Sequence, residues 1–302
     1  MRLTPSMVAA LPETASLRTA DGVRLSARHD PPLADPPMAE ASLADPPLAG
    51  APLAFVVVHG FTGSWRRPDL RAVVERLRRY GGVVSFDLRG HGASAGEASV
   101  GATEHADVSA AVAWAGTLGY RTVVTLGFSL GSALVVRQAG LEGGVDAVVA
   151  VSGPSRWNYR GTAPTRRLHA GMGTTLGRAV LARAFGTRVG AEGWDPAPLP
   201  PDAAAERIAP TPLLVVHGEA DDYFPVDHAR WLAEAAGPTA TLWLVPGMGH
   251  AEGAVSGDLL DRIATWAVAL VPGTAVPGSV VPVAAPPGEA RARPPGSARM
   301  RG

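Results

Sequence analysis

Cysteine is absent from this 302-residue chain, which excludes disulfides, thiolate nucleophiles and cysteine-ligated metals. Lysine is absent too, so all 27 basic residues are arginine. A lysine Schiff base is therefore excluded, and the arginine usage reads as coding bias towards Arg, Ala, Gly and Pro. Neither sign of charge is in excess, since 27 acidic residues balance the 27 basic ones. A neutral chain gives no electrostatic reason to expect nucleic acid or an acidic membrane surface as partner. No uninterrupted apolar run reaches transmembrane length, so no stable membrane anchoring is expected. The first fifteen residues hold one arginine and a short, proline-interrupted apolar stretch. That is too weak for a signal peptide, and a cytoplasmic location is the default expectation. Gly171-Met172-Gly173 lacks both a P-loop lysine and a preceding strand, so nucleotide binding is not expected. No metal or organic cofactor is implied, and nothing in the sequence gives the oligomeric state.

What is present is a chain 46% hydrophobic and 18% charged, enough to bury one large α/β core. Ser16–His29 reads as two strands around the turn Ala20-Asp21-Gly22. A repeat follows, with Asp30-Pro31-Pro32, Asp35-Pro36-Pro37 and Asp45-Pro46-Pro47, and proline pairs cannot join a ladder. From Phe55 onward short apolar strands alternate with helices. Strands are expected at Phe55–His59, Val83–Asp87, Thr122–Leu126, Val145–Val151, Leu213–His217 and Thr241–Val245. Helices are expected at Asp69–Tyr80, Glu104–Leu118, Ser132–Leu141, Asp227–Ala236 and Asp258–Leu270. Continuous apolar strands between helices specify an α/β fold, a mostly parallel sheet covered on both faces.

The expected organisation is an N-terminal extension over 1–15 and one domain over 16–270. That domain carries a Pro-rich loop insertion at 30–53 and a small helical lid at 155–209, with helical character around Arg166–Phe185. A disordered tail is expected over 271–302.

Gly127-Phe128-Ser129-Leu130-Gly131 follows the strand Thr122–Leu126 and precedes a helix. In a G-x-S-x-G elbow the serine sits on a strained turn between strand and helix, which lifts Oγ clear of the sheet. Ser129 is thus a candidate nucleophile. Serine is a poor nucleophile at neutral pH, so it needs a base, and the base needs an orienting carboxylate. His250, in Pro246-Gly247-Met248-Gly249-His250 after the last strand, is the candidate base. Asp221 and Asp222, in the loop after Leu213–His217, are the candidate acids. The order Ser, acid, His is the one associated with this elbow.

These motifs, with His59-Gly60-Phe61-Thr62-Gly63 and Asp87-Leu88-Arg89-Gly90-His91-Gly92, resemble the α/β-hydrolase superfamily over about Ser16–Leu270. The oxyanion-loop motif and the expected lid look most similar to bacterial feruloyl-type esterases, monoacylglycerol lipases and serine aminopeptidases. The resemblance implies a Ser129–His250–Asp221 triad, Asp221 being chosen over its neighbour by the Gly-x-x-Asp spacing from Gly218. It also implies an oxyanion hole built from the backbone N–H groups of Phe61 and Leu130.

His59 and His91 are expected to brace loops, and Asp87 and Arg89 to organise them. Asp107 is expected to offset a helix dipole. Trp157 and Tyr159 are the expected substrate-binding residues, with His169, Leu168, Met172 and Phe185 around the same apolar pocket. Arg156, Arg160, Arg166 and Arg167 form either a solvated face or a site for an anionic substrate group. The function expected is hydrolysis of a small-molecule ester, thioester or amide through an acyl-enzyme. Three other chemistries of the same fold compete: acyl transfer, cofactor-free haloperoxidation and carbon–carbon hydrolysis. A non-catalytic binding protein on this scaffold is the rival from a different class.

Overall fold

The computed structural model describes residues 11–33 and 53–271. Most of the Pro-rich repeat, the first ten residues and the expected tail beyond 271 lie outside the described residues.

Eight strands form one sheet, in the order β1 (Glu13–Arg18), β2 (Arg24–Asp30), β4 (Gly82–Phe86), β3 (Leu53–Val58), β5 (Thr122–Phe128), β6 (Ala147–Val151), β7 (Leu213–Gly218) and β8 (Ala240–Val245). β1 pairs antiparallel with β2, and β2 antiparallel with β4, while β3 to β8 run parallel. β1 begins at Glu13, three residues earlier than the hairpin read from sequence, so the domain reaches into the expected extension.

Every residue of β3, β4, β5, β6 and β7 is buried, which explains why these segments read as unbroken apolar runs. Alternate residues supply two separate cores. Val56, Val58 and Phe86 pack with α2 (His105–Thr117), α3 (Leu130–Leu141) and α7 (Asp227–Ala236). Phe55, Val57, Leu126 and Phe128 pack on the opposite face with α1 (Pro68–Leu77) and α8 (Gly257–Val268). The elbow helix α3 is buried over Leu130–Ala139, since α2 and a further short helix cover the sides that the sheet does not.

The insertion between β6 and β7 is more structured than its sequence indicates. Its one helical stretch is two helices, α4 (Ala163–Met172) and α5 (Thr175–Phe185). They are separated because Thr174 caps a new N-terminus, its hydroxyl accepting from the Gly177 amide at 3.0 Å, a strong local start signal. The Pro-rich stretch Pro196–Pro201 also leads into a helix, α6 (Pro201–Ala205), with proline at the first helical position, where its missing N–H costs nothing. The return segment is stitched to the loop after β4 by backbone bonds. Arg188 N–H donates to Gly90 O, and Ala98 N–H to Arg188 O, both at 2.7 Å.

Candidate active site

The backbone of the elbow puts Ser129 at the junction of β5 and α3 with φ 51° and ψ −116°, a conformation costly for any residue with a Cβ. The turn is held by the Ser129 amide, which donates to Val151 O at 2.9 Å. Glycine is required on both sides of it. A Cβ on Gly127 would run into the Gly131 carbonyl, and one on Gly131 into the Val58 carbonyl. The oxyanion loop comes equally close, a Cβ on Gly60 lying 3.2 Å from Ser129 Cβ.

Ser129 Oγ lies 3.0 Å from His250 Nε2, and His250 Nδ1 lies 2.8 Å from Asp221 Oδ2. The other oxygen, Asp221 Oδ1, accepts the Tyr223 and Phe224 amides at 2.8 and 3.0 Å. Burial pushes the Asp221 carboxyl up, but the His250 ring and these amides outweigh it and hold it below the usual carboxylate range. An ionised Asp221 accepts from Nδ1–H, which leaves Nε2 as the acceptor facing Oγ. Asp222 is exposed, and the His250 ring bonds to Asp221 instead. The geometry therefore brings together Ser129, His250 and Asp221 and leaves the neighbouring carboxylate out.

Leu130 contributes the first helical amide of α3, next to the positive end of the helix dipole. Neither its N–H nor that of Phe61 is engaged in a hydrogen bond among the described residues. His59 braces the Phe61 loop: its Nδ1–H donates to Gly60 O at 2.7 Å and its Nε2 accepts the Leu88 amide at 3.1 Å. One donor and one acceptor is the neutral imidazole's inventory, and complete burial pushes its pKa down to about 3. His91 lies beside it, its Nδ1 2.9 Å from Arg89 O. Asp87 organises the loops around it through Ser64 Oγ at 2.6 Å and the Trp65 and Ala93 amides at 3.0 and 2.9 Å.

Asp107 does more than offset a dipole. Its carboxylate is buried against Arg89, whose Nε and Nη2 donate at 2.9 and 2.7 Å while its amide donates at 2.8 Å. Arg89 also reaches Asp21 in the opening turn, so the pair ties the loop after β4 to α2 and to the first hairpin.

A cleft opens at Ser129, and Trp157, Tyr159, Leu168, His169 and Met172 of the insertion line it. Phe185 does not: it is exposed at the end of α5, because α5 turns Leu181 inward instead. Arg156 lines the cleft mouth and pairs with Asp202 at 2.9 Å, whereas Arg160, Arg166 and Arg167 are exposed. Among the described residues no group of three or more His, Asp or Glu side chains is placed to hold a metal ion. No described helix is long and apolar enough to cross a membrane.

Several residues around the site carried no sequence signal. Tyr223 stacks on His250. Glu252 accepts the Gly60 amide at 3.3 Å, placed there by Ala251 at φ 56°. Glu104 is buried, and its carboxylate accepts the amides of Ser99, Val100 and Gly101 at 2.6, 2.7 and 2.9 Å. It thereby holds Val100 in the cleft wall. Trp194, another wall residue, donates to Ser99 O at 2.7 Å.

A sheet of this order with a serine elbow after β5 defines an α/β-hydrolase fold. A model of the alpha/beta hydrolase family matches residues 55–266, and the chain belongs to that family. A search of curated proteins by sequence found no match. Solved structures resemble the fold at low identity. An esterase of Pyrococcus furiosus shares 20% identity with a TM-score of 0.64, covering 88% of this chain and 94% of its own. A serine hydrolase without a lid from Xanthomonas campestris shares 18% at a TM-score of 0.56, covering 91% and 100%. A Butyrivibrio proteoclasticus protein with ferulic acid bound shares 21% at 0.51, covering 84% and 97%.

Proposed function

We propose that this chain is a serine hydrolase cleaving a carboxylic ester, with thioesters and amides as the wider substrate class. The observation that carries this reading is the continuous contact from Asp221 through His250 to Ser129, at 2.8 and 3.0 Å. His250 Nε2 takes the Oγ proton as Oγ attacks the substrate carbonyl, and the Phe61 and Leu130 amides receive the developing oxyanion. Collapse expels the alcohol, which leaves with the proton from His250. Water, deprotonated by the same nitrogen, then attacks the acyl-enzyme, and the second collapse releases the acid and restores Ser129. Asp221, kept ionised, stabilises the imidazolium in both halves.

The insertion acts as a lid over the acyl side of this site. Trp157, Tyr159, Leu168 and Met172 favour an apolar or aromatic acyl group, since they offer it aromatic and aliphatic surface to pack against.

The test is labelling with a fluorophosphonate probe beside turnover of p-nitrophenyl esters of increasing acyl length. The expected result is a single adduct on Ser129, abolished in Ser129→Ala, with turnover lost to the same extent. A folded wild-type protein that neither labels nor turns over any ester would overturn the reading in favour of a binding protein.

A further inference from the structure

The chain's charges balance overall but not locally. From Arg156 to Arg188, both included, there are seven arginines and no aspartate or glutamate. The helices of this segment sort their side chains by face. α4 turns Leu168, His169 and Met172 towards the cleft and exposes Arg166 and Arg167 on its other side. α5 buries Leu181 and exposes Leu176, Val180 and Arg183, which stand four and three residues apart and so form one stripe along the helix. Leu176 is 77% exposed and Val180 50%. Of six exposed large hydrophobic residues among the described ones, three belong to this one helix, Phe185 being the third.

Most arginines of this segment are not neutralised from within. Arg156 pairs with Asp202, but Arg166 and Arg178 reach only main-chain carbonyls, those of Arg160, Gly161 and Met172. Arg160, Arg167 and Arg183 have no carboxylate partner among the described residues.

We propose that this outer face of α4 and α5 docks the protein reversibly on an anionic lipid surface. Arginines spread along two helices match a sheet of negative charge, whereas a single free anion needs several donors converging on one point. Exposed aliphatic side chains beside those arginines are what an interfacial helix presents to the boundary between headgroups and acyl chains. An acidic protein partner would satisfy the charge but leave Leu176 and Val180 without a counterpart. Two aliphatic side chains are too few to hold the protein alone, so binding depends on charge and falls with salt. α4 would then stand between the lipid and an apolar cleft. The docking does not depend on chemistry at Ser129.

The test uses the full chain in flotation with vesicles of phosphatidylcholine alone and of phosphatidylcholine mixed one to one with phosphatidylglycerol. Binding to the mixed vesicles only is expected, with loss in concentrated sodium chloride. It should weaken about tenfold or more in Arg167→Glu/Arg183→Glu and measurably in Leu176→Ser/Val180→Ser. Turnover of a short, water-soluble ester should be unchanged in both variants, which shows that they fold. If the charge reversals do not fold, Arg167→Gln/Arg183→Gln and the salt dependence of the wild type carry the same decision. Three outcomes would overturn the proposal: no binding to either vesicle, equal binding to both, or unaltered binding in the arginine variants. So would a wild-type dimer that the α5 substitutions dissociate, with no vesicle binding, because the face would then be an interface between two copies.

Discussion

Tyr223 lies flat on His250, the ring centroids 4.3 Å apart and the planes 20° from parallel. Its amide also donates to Asp221 Oδ1, so one residue covers the imidazole and orients the carboxylate behind it. In the proposed mechanism His250 becomes a cation when it takes the serine proton, and an aromatic face attracts such a cation by roughly 0.5–2 kcal/mol. Tyr223→Phe keeps the face and should stay within about twofold of wild type, whereas Tyr223→Ala should lower kcat about fivefold with little change in KM. Steady-state kinetics on one soluble ester decides this, and an alanine variant as fast as the phenylalanine one would show that the stack does nothing for turnover.

The two neighbouring aspartates should separate sharply. The Asp221 side chain is buried and bonded to His250, while Asp222 is exposed. In the proposed mechanism Asp221→Asn replaces the acceptor that fixes the tautomer of the base, and a Ser-His-Asp triad loses about 10⁴ in kcat from that change. Asp222→Asn should fall within about twofold, as surface changes away from a site do. The reverse order in the measured kcat values would mean that the loop rearranges when substrate binds.

How far the sequence foretold this site depends on the range of the interaction involved. The elbow was legible because its demands are local: a buried strand, small residues at Gly127 and Gly131, and a helix directly after Ser129. Asp221 and His250 were legible because each closes a strand end with a glycine turn. Asp107 stands in the first turn of α2, as its sequence position implies, but its pairing with Arg89 is not legible because Arg89 approaches from another loop. Nothing local marks the Tyr223 stack or the Glu252 bond to Gly60, since both arise only when the loops after β7, β8 and β3 meet. The break between α4 and α5 is marked in the sequence only by Thr174, a cap set between helical residues on either side. The arginines of the insertion are plain in the sequence, but which of them lack a carboxylate partner is decided only by the neighbours that the fold brings to them.

Glu104 should control acyl selectivity without touching substrate. Its carboxylate gathers the amides of Ser99, Val100 and Gly101. Gly101, at φ 116°, is pressed so close to Trp157 that a Cβ there would lie 2.6 Å from the indole. Glu104→Gln loses one of the two acceptor oxygens and frees the loop that carries Val100. Esters with long or aromatic acyl groups should lose about tenfold in kcat/KM, the range expected when a pocket wall is displaced, and acetate esters should lose far less. Trp157→Ala should show the same preference, and the double variant should cost less than the sum of the two because both act on one wall. Equal losses on acetate and long-chain esters would place Glu104 in general stability instead.

Acid should destabilise this fold through His228, and the sign follows from its surroundings. Its ring is buried against Tyr159, Phe224 and Trp231, with Nδ1 3.2 Å from the Ser155 amide nitrogen. An imidazole that accepts from an amide is neutral at that nitrogen, and burial pushes its pKa down to about 4, helped by the charge of nearby His217. In the unfolded chain the same group titrates at about 6.5. Between these values the unfolded state binds a proton that the native state refuses, so stability is full above pH 6.5 and falls as pH drops towards 4. One such group contributes a slope of about 1.4 kcal/mol per pH unit inside that window. His228→Gln removes the titration, so the variant should be less stable at pH 7, where a buried contact is lost, yet lose less between pH 7 and pH 5 than the wild type. Urea unfolding midpoints at the two pH values measure the difference, and parallel losses in both proteins would show that another group carries the acid sensitivity.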